Sequence, residues 1–154
     1  MMAENLWGEL PSFGLTRTPY NLLLEQATLL KDMSKDWLIG KVERNTRNTY
    51  TPDKEPEKDK SIFNLELFIV APSLNNYTYS VLHAHHGLDT YPIYISSCDG
   101  QHCESKNEDE FLGALKHILS SDKVKKVIAA LLTQIISDKT PAPKRQSVAD
   151  FGAL

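Results

Sequence analysis

Histidine and cysteine side chains concentrate in one short stretch of this sequence. Four of the five histidines and both cysteines lie between positions 83 and 103. They are His83, His85, His86, Cys98, His102 and Cys103. Imidazole exchanges protons near neutral pH, and imidazole and thiolate are both ligands of zinc. A catalytic or metal-binding site is therefore sought here first.

A metal site is one interpretation of this stretch. His83 and His85 are two apart on a predicted strand, so they project to one side as a pair of ligands that Cys98, His102 or Cys103 would complete. Strong zinc signatures pair two C-x₂-C knuckles, whereas Cys98 and Cys103 form a single C-x₄-C. We predict no cofactor and no bound metal, and keep a small metal-assisted hydrolase built on these five residues as the alternative.

A metal-free catalytic site is also weakly supported. His83 or His85 would suit a general base, but neither cysteine has a cationic neighbour or helix N-terminus that sequence can show to favour its thiolate. The sequence contains no G-x-S-x-G, no H-E-x-x-H and no Gly-rich phosphate loop. We therefore predict that the protein is not an enzyme.

Composition limits the class of protein. The chain has 154 residues, 41% of them hydrophobic, which suits one domain with a core of its own. Its 17 basic and 20 acidic residues are mixed along the chain, and the absence of a basic stripe argues against nucleic-acid binding. The sequence shows no signal peptide, and no apolar stretch approaches the roughly 18 residues of a membrane helix. We expect a cytoplasmic protein with reduced cysteines and no membrane contact.

Apolar periodicity predicts the elements that would position the site. A helix is expected over residues 19–34, after the cap and first-turn pair Thr18-Pro19. Four strands follow near residues 37–43, 63–71, 77–85 and 91–95. Two more helices begin after a capping box at Asn107 and Glu110 and at Ser120 or Ser121. The last is expected to be the most buried helix, or to bury part of its face in a partner.

This order of elements predicts an α+β fold. We expect a four-stranded antiparallel meander with the N-terminal helix and the two C-terminal helices packed on it. The division of the chain is an irregular N-terminal arm over 1–17, a single domain over 18–138 with a mobile loop at 45–60, and a flexible C-terminal tail over 139–154.

The strand register decides which side chains share a face. A four-residue hairpin loop at 87–90 would set Ala84 opposite Ile93 and leave the other face with Tyr77, Tyr79, Val81, His83, His85 and Tyr94. A one-residue change in loop length would exchange the two faces. The tyrosines are then either an exposed binding surface or core residues beneath helix 19–34.

Protein binding is the function that these features favour. Tyrosine and histidine on an exposed sheet face suit a protein interface, because aromatic side chains bury large areas at small entropic cost. The arm adds Trp7 and Phe13, which need a surface on which to lie. We expect a non-enzymatic module that binds another protein, as a small adaptor, complex subunit or inhibitor or immunity-type protein, through Tyr77, Tyr79, His83, His85, Tyr94, Trp7 and Phe13.

Overall fold

The computed structural model describes residues 3–11, 17–46 and 62–139. The helices are α1 (Pro19–Met33), α2 (Glu108–Leu119) and α3 (Asp122–Lys139). The strands are β1 (Ile39–Thr46), β2 (Phe63–Ala71), β3 (Tyr77–His86), β4 (Ile93–Ser97) and β5 (His102–Ser105). A single 3₁₀ turn, Pro72–Leu74, joins β2 to β3.

The five strands form one sheet in chain order. Each strand is antiparallel to the next, so the sheet is a meander. The α+β class, the antiparallel sheet and the arrangement of one N-terminal and two C-terminal helices are confirmed, but the prediction of four strands is wrong. The missed strand, β5, pairs with β4 and has little apolar character, so it lacks the alternation that identified the others.

One face of the sheet carries the core. Alternate residues of β2, β3 and β4 are buried together with side chains from all three helices. Seven of these core residues come from the sheet: Leu65, Leu67, Ile69, Leu82, Ala84, Ile93 and Ile95. Those from the helices include Leu22, Leu23, Phe111, Leu115, Val124, Leu131 and Ile135. Since each such side chain contributes about 1.5–3 kcal/mol when removed from water, this one-sided core is what holds the layers together.

Helix α1 begins at a capped turn and lies very close to β1. The Thr18 hydroxyl accepts a hydrogen bond from the Asn21 N–H at 3.2 Å, and Pro19 occupies the first turn. Further along, a Cβ atom on Gly40 would lie 2.4 Å from the Cα of Ala27. Glycine is therefore required there, because any side chain would push α1 away from the sheet.

The C-terminal helices follow the predicted caps but not the predicted burial. The Asn107 side chain accepts from the Glu110 N–H at 2.9 Å, as the capping box predicted. In α3 only Val124, Leu131 and Ile135 are buried, so the expectation that it is the most buried helix is wrong. Its use by a partner stays a prediction. None of the described helices is long and apolar enough to cross a bilayer.

Several predicted segments fall partly outside the described residues. Of the arm, residues 3–11 contain neither helix nor strand, whereas Phe13 lies outside the description. Of the predicted loop at 45–60, Asn45 and Thr46 belong to β1, and 47–60 are outside. The tail over 140–154 is outside as well.

The contact between Gly40 and Ala27 generates a stability prediction. Gly40→Ala should lower the free energy of unfolding by about 1–3 kcal/mol, because the added methyl group overlaps backbone atoms of α1. Gly113→Ala is the matched control: nothing lies within 4 Å of its added Cβ, and alanine in a helix interior should raise stability by up to about 1 kcal/mol. Urea unfolding measures both, and equal effects of the same sign would contradict the close approach.

Candidate functional site

A β-bulge in β3 determines which side chains face the helices. Leu67 pairs with Leu82, but its neighbour Phe68 pairs with Ser80, so Val81 is an extra residue without an opposite partner. The Val81 carbonyl instead accepts a hydrogen bond from the Cys98 N–H at 2.9 Å. Because one residue is inserted, the alternation of β3 changes phase at this point.

The predicted binding face is therefore divided between the two sides of the sheet. Tyr79 pairs with the buried Ile69 and packs against the core, so it lies on the helix side. Tyr77 pairs with the buried Ala71 and is on that side too, at the exposed end of β3. The prediction that both tyrosines share a face with His83 and His85 is wrong, since it assumed a regular strand.

The hairpin between β3 and β4 is also two residues out of the predicted register. Ala84 pairs with Ile95, and His85 pairs with Tyr94, where the sequence predicted Ala84 opposite Ile93. Because a shift of two preserves the alternation, each side chain nevertheless keeps its predicted face. His83, His85 and Tyr94 thus lie together on the side opposite the core.

We call that side the open face. Strand pairing assigns to it Ile39, Lys41, Glu43 and Asn45 of β1, Asn64, Glu66, Phe68 and Val70 of β2, Thr78, Ser80, His83 and His85 of β3, Tyr94 and Ser96 of β4, and His102 and Glu104 of β5. All of these are exposed or half-buried. No helix among the described residues covers them, because all three pack on the other side.

Aromatic rings occupy the middle of the open face. The rings of His85 and Tyr94 stack with centroids 5.3 Å apart, and His83 lies 6.2 Å from His85. Tyr94 is 41% exposed. On the neighbouring strand Phe68 and Val70 are half-buried, and sequence analysis missed both as members of this surface. The signal was available, since both continue the alternate positions of β2 after Asn64 and Glu66.

Polar contacts order the side chains around these rings. The Ser80 hydroxyl donates to Glu66 Oε2 at 2.6 Å, and a hydrogen bond of 3.0 Å joins Ser96 Oγ and His102 Nδ1. At the β1 edge, Lys41 Nζ lies 3.1 Å from Glu43 Oε2. The open face therefore has an aromatic centre and charged residues at both edge strands.

The five residues of the alternative metal site do not come together. His83, His85 and His102 lie on the open face, whereas Cys98 packs against the core and Cys103 pairs with the buried Ile95 on the helix side. Within the described residues, no group of three or more His, Cys, Asp or Glu side chains is arranged to hold a metal ion. Burial raises the pKa of Cys103, which disfavours the thiolate that a metal requires.

The pair of Ser96 and His102 has the composition of a hydroxyl nucleophile and a base. Such pairs catalyse reactions in clefts where water is excluded and a third group orients the base. Here the imidazole is exposed on the surface of a short edge strand. The contact is therefore better described as an ordering interaction of the open face.

On the helix side, Tyr79 and Cys98 form a polar contact beneath the bulge. Loss of hydration and a hydrogen bond with the Cys98 side chain raise the pKa of Tyr79 to about 12. The phenol consequently stays neutral at physiological pH. This contact adds to the evidence that Tyr79 is a structural residue, since its ring and its hydroxyl both have partners within the fold.

His86 is separated from the other histidines of its cluster. It lies on the helix side, 8% exposed, with its ring 5.2 Å from that of Phe63. Its Nδ1 is 2.8 Å from the Gly87 carbonyl oxygen, to which it donates. Burial is the dominant influence and lowers the pKa of His86 below its ordinary value of 6.5, despite this hydrogen bond.

The division of the tyrosines predicts unequal costs of truncation. Tyr79→Ala should lower the free energy of unfolding by about 2–3 kcal/mol, because it removes a ring packed on the core. Tyr94→Ala should lower it by less than about 1 kcal/mol, since its ring lies on an uncovered surface. Urea denaturation tests the contrast, and a larger loss for Tyr94→Ala would mean that the faces are assigned the wrong way round.

His86 predicts a loss of stability in acid. The unfolded chain binds a proton at this histidine near pH 6.5, whereas the folded protein does so only at lower pH. The stabilisation is complete above that pH and is lost as the pH falls toward the folded pKa. His86→Phe should therefore show a smaller drop in Tm than the wild type between about pH 7.5 and about pH 5.5. His83→Gln, at an exposed position, is the control and should retain the full drop.

Comparisons of the chain with protein families, with curated proteins and with solved structures find no match. Its function must therefore be inferred from the geometry of its own surfaces.

Proposed function

We propose that this protein is a non-enzymatic, cytoplasmic binding module, acting as a small adaptor, complex subunit or inhibitor, and that it contacts another protein through the open face. One observation carries the proposal. The sheet presents a continuous surface with aromatic residues at its centre, and all three described helices pack on the opposite side.

The layout of the open face resembles that of protein interfaces. Tyr94, His85 and Phe68 form a central aromatic region, and such residues are enriched where binding energy concentrates. Charged side chains lie on the edge strands, as in the polar rim of an interface. The ordered contacts of Glu66 and His102 reduce the entropy that their side chains would lose on binding.

The charge of the face indicates the chemistry of the partner. Glu43, Glu66 and Glu104 contribute three carboxylates, and Lys41 is the one ammonium group among the residues assigned to it. At neutral pH the surface is therefore negative, which disfavours a nucleic acid and favours a protein surface with basic side chains around apolar ones. The sheet surface also suits a protein better than a small ligand, which needs a concave pocket.

Removal of the aromatic centre tests the proposal. The double variant Tyr94→Ala with His83→Ala should keep the wild-type Tm within a few degrees and lose the partner in quantitative affinity capture. The expected reason is that truncating a central aromatic anchor weakens binding by about 2 kcal/mol or more. A photo-crosslinking residue at Ser80 should label the same partner directly.

The matched control is Leu88→Ala, which truncates a side chain 77% exposed in the β3–β4 hairpin loop. It should leave both stability and capture unchanged. A stable double variant that retains its partner would contradict the proposal. The hydrolase alternative is tested separately, since near-stoichiometric zinc in the purified protein would favour it.

A further inference from the structure

The N-terminal arm carries three large apolar side chains that nothing in the chain covers. Leu6, Trp7 and Leu10 are 85%, 89% and 75% exposed. Exposure of single apolar residues is common, but three within five positions form a patch that is costly to leave in water. The arm thus has the composition of a ligand that lacks its binding site.

A local turn holds this patch in a defined shape. Asn5 Oδ1 accepts from the Trp7 N–H at 3.0 Å, and Asn5 Nδ2 donates to the Gly8 carbonyl at 3.0 Å. Gly8 has a φ of 74°, a left-handed conformation that glycine adopts without strain. Because the turn already exists in the free chain, less entropy is lost when the arm binds.

The helix layer contains an unfilled apolar groove. Gln26 of α1 and residues of α2 line it, with a volume of about 360 Å³. Leu112, Leu115 and Leu119 supply its apolar surface, and Lys116 is the one charged residue among those that line it. Its size is within the range of pockets that accept apolar ligands.

The arm and the groove are complementary in charge as well as in apolarity. Glu4 and Glu9 flank the exposed residues of the arm, and no basic residue lies between positions 3 and 11. Lys116 gives the groove the opposite sign. An acidic, apolar segment and a basic, apolar groove therefore occur in the same chain.

We propose that the arm of one copy occupies the groove between α1 and α2 of a second copy, so that two chains form a dimer by reciprocal exchange of arms. The single chain leaves its own arm in solvent and its own groove open. Reciprocal exchange fills both grooves and closes the assembly at two chains, because each chain has one arm and one groove. This dimer does not involve the open face, which stays available to another protein.

A pair of variants tests the exchange in the full-length chain. Trp7→Ala removes the main anchor of the arm, and Leu119→Lys places a charge in the groove. Wild-type protein should dimerise in analytical ultracentrifugation, and each variant should weaken the dimer about tenfold or more. An equal mixture of the two variants should regain part of the dimer, since the intact arm of one enters the intact groove of the other.

Controls keep folding and binding apart. Circular dichroism and Tm identify any variant that fails to fold, and Leu112→Lys then replaces Leu119→Lys. Leu88→Ala should dimerise as the wild type does. In a Trp37→Phe background, Trp7 is the remaining tryptophan, and its emission should shift to the blue as dimer forms.

Three results would overturn the inference. The first is a protein that stays monomeric at every concentration, with Trp7 in water. The second is a blue-shifted Trp7 that does not depend on concentration, which would mean that the arm fills its own groove. The third is a dimer that survives both variants, which would place the contact on a different surface. None of these results bears on partner capture by the open face.

Discussion

The burial of one side of a five-stranded sheet is the constraint on which the rest of the structure depends. Helices α1, α2 and α3 share a single core with alternate residues of the strands. The close approach of Gly40 to Ala27 brings α1 against β1, so the helix layer and the sheet meet without an intervening side chain. With all three helices on one side, the described part of the chain provides no helix for the other, and the open face follows from that arrangement.

The bulge at Val81 determines what the open face contains. A regular β3 would have placed Tyr77 and Tyr79 beside His83 and His85, giving one continuous aromatic strip. The extra residue turns the tyrosines toward the helices, where Tyr79 contacts Cys98 and the core. The aromatic centre is then built across three strands, from His85, Tyr94 and Phe68, and it is broader than a single strand would allow. A surface of this width suits a protein partner better than an extended peptide.

Two surfaces of different kinds thus lie on opposite sides of the molecule. The open face is negative and aromatic, whereas the groove between α1 and α2 is apolar with one basic residue. If both proposals hold, arm exchange joins two copies through the helix layers and leaves two open faces for other proteins. Such an arrangement would allow bivalent binding, in which the second contact is strengthened by the effective concentration that the first one provides.

The sequence by itself determined the α+β class, the helix starts and the antiparallel order, because periodicity, caps and turn residues act over a few positions. Thr18, Asn107 and the alternation of β2 all have the predicted local roles. Pairing depends on contacts between distant residues, so the register of the β3–β4 hairpin and the weakly apolar β5 were missed. The bulge had a local trace, since Val81 and Leu82 are adjacent apolar residues where the alternation changes phase. Only tertiary structure could decide which phase faced the helices, because that choice depends on which side of the sheet the three helices bury together.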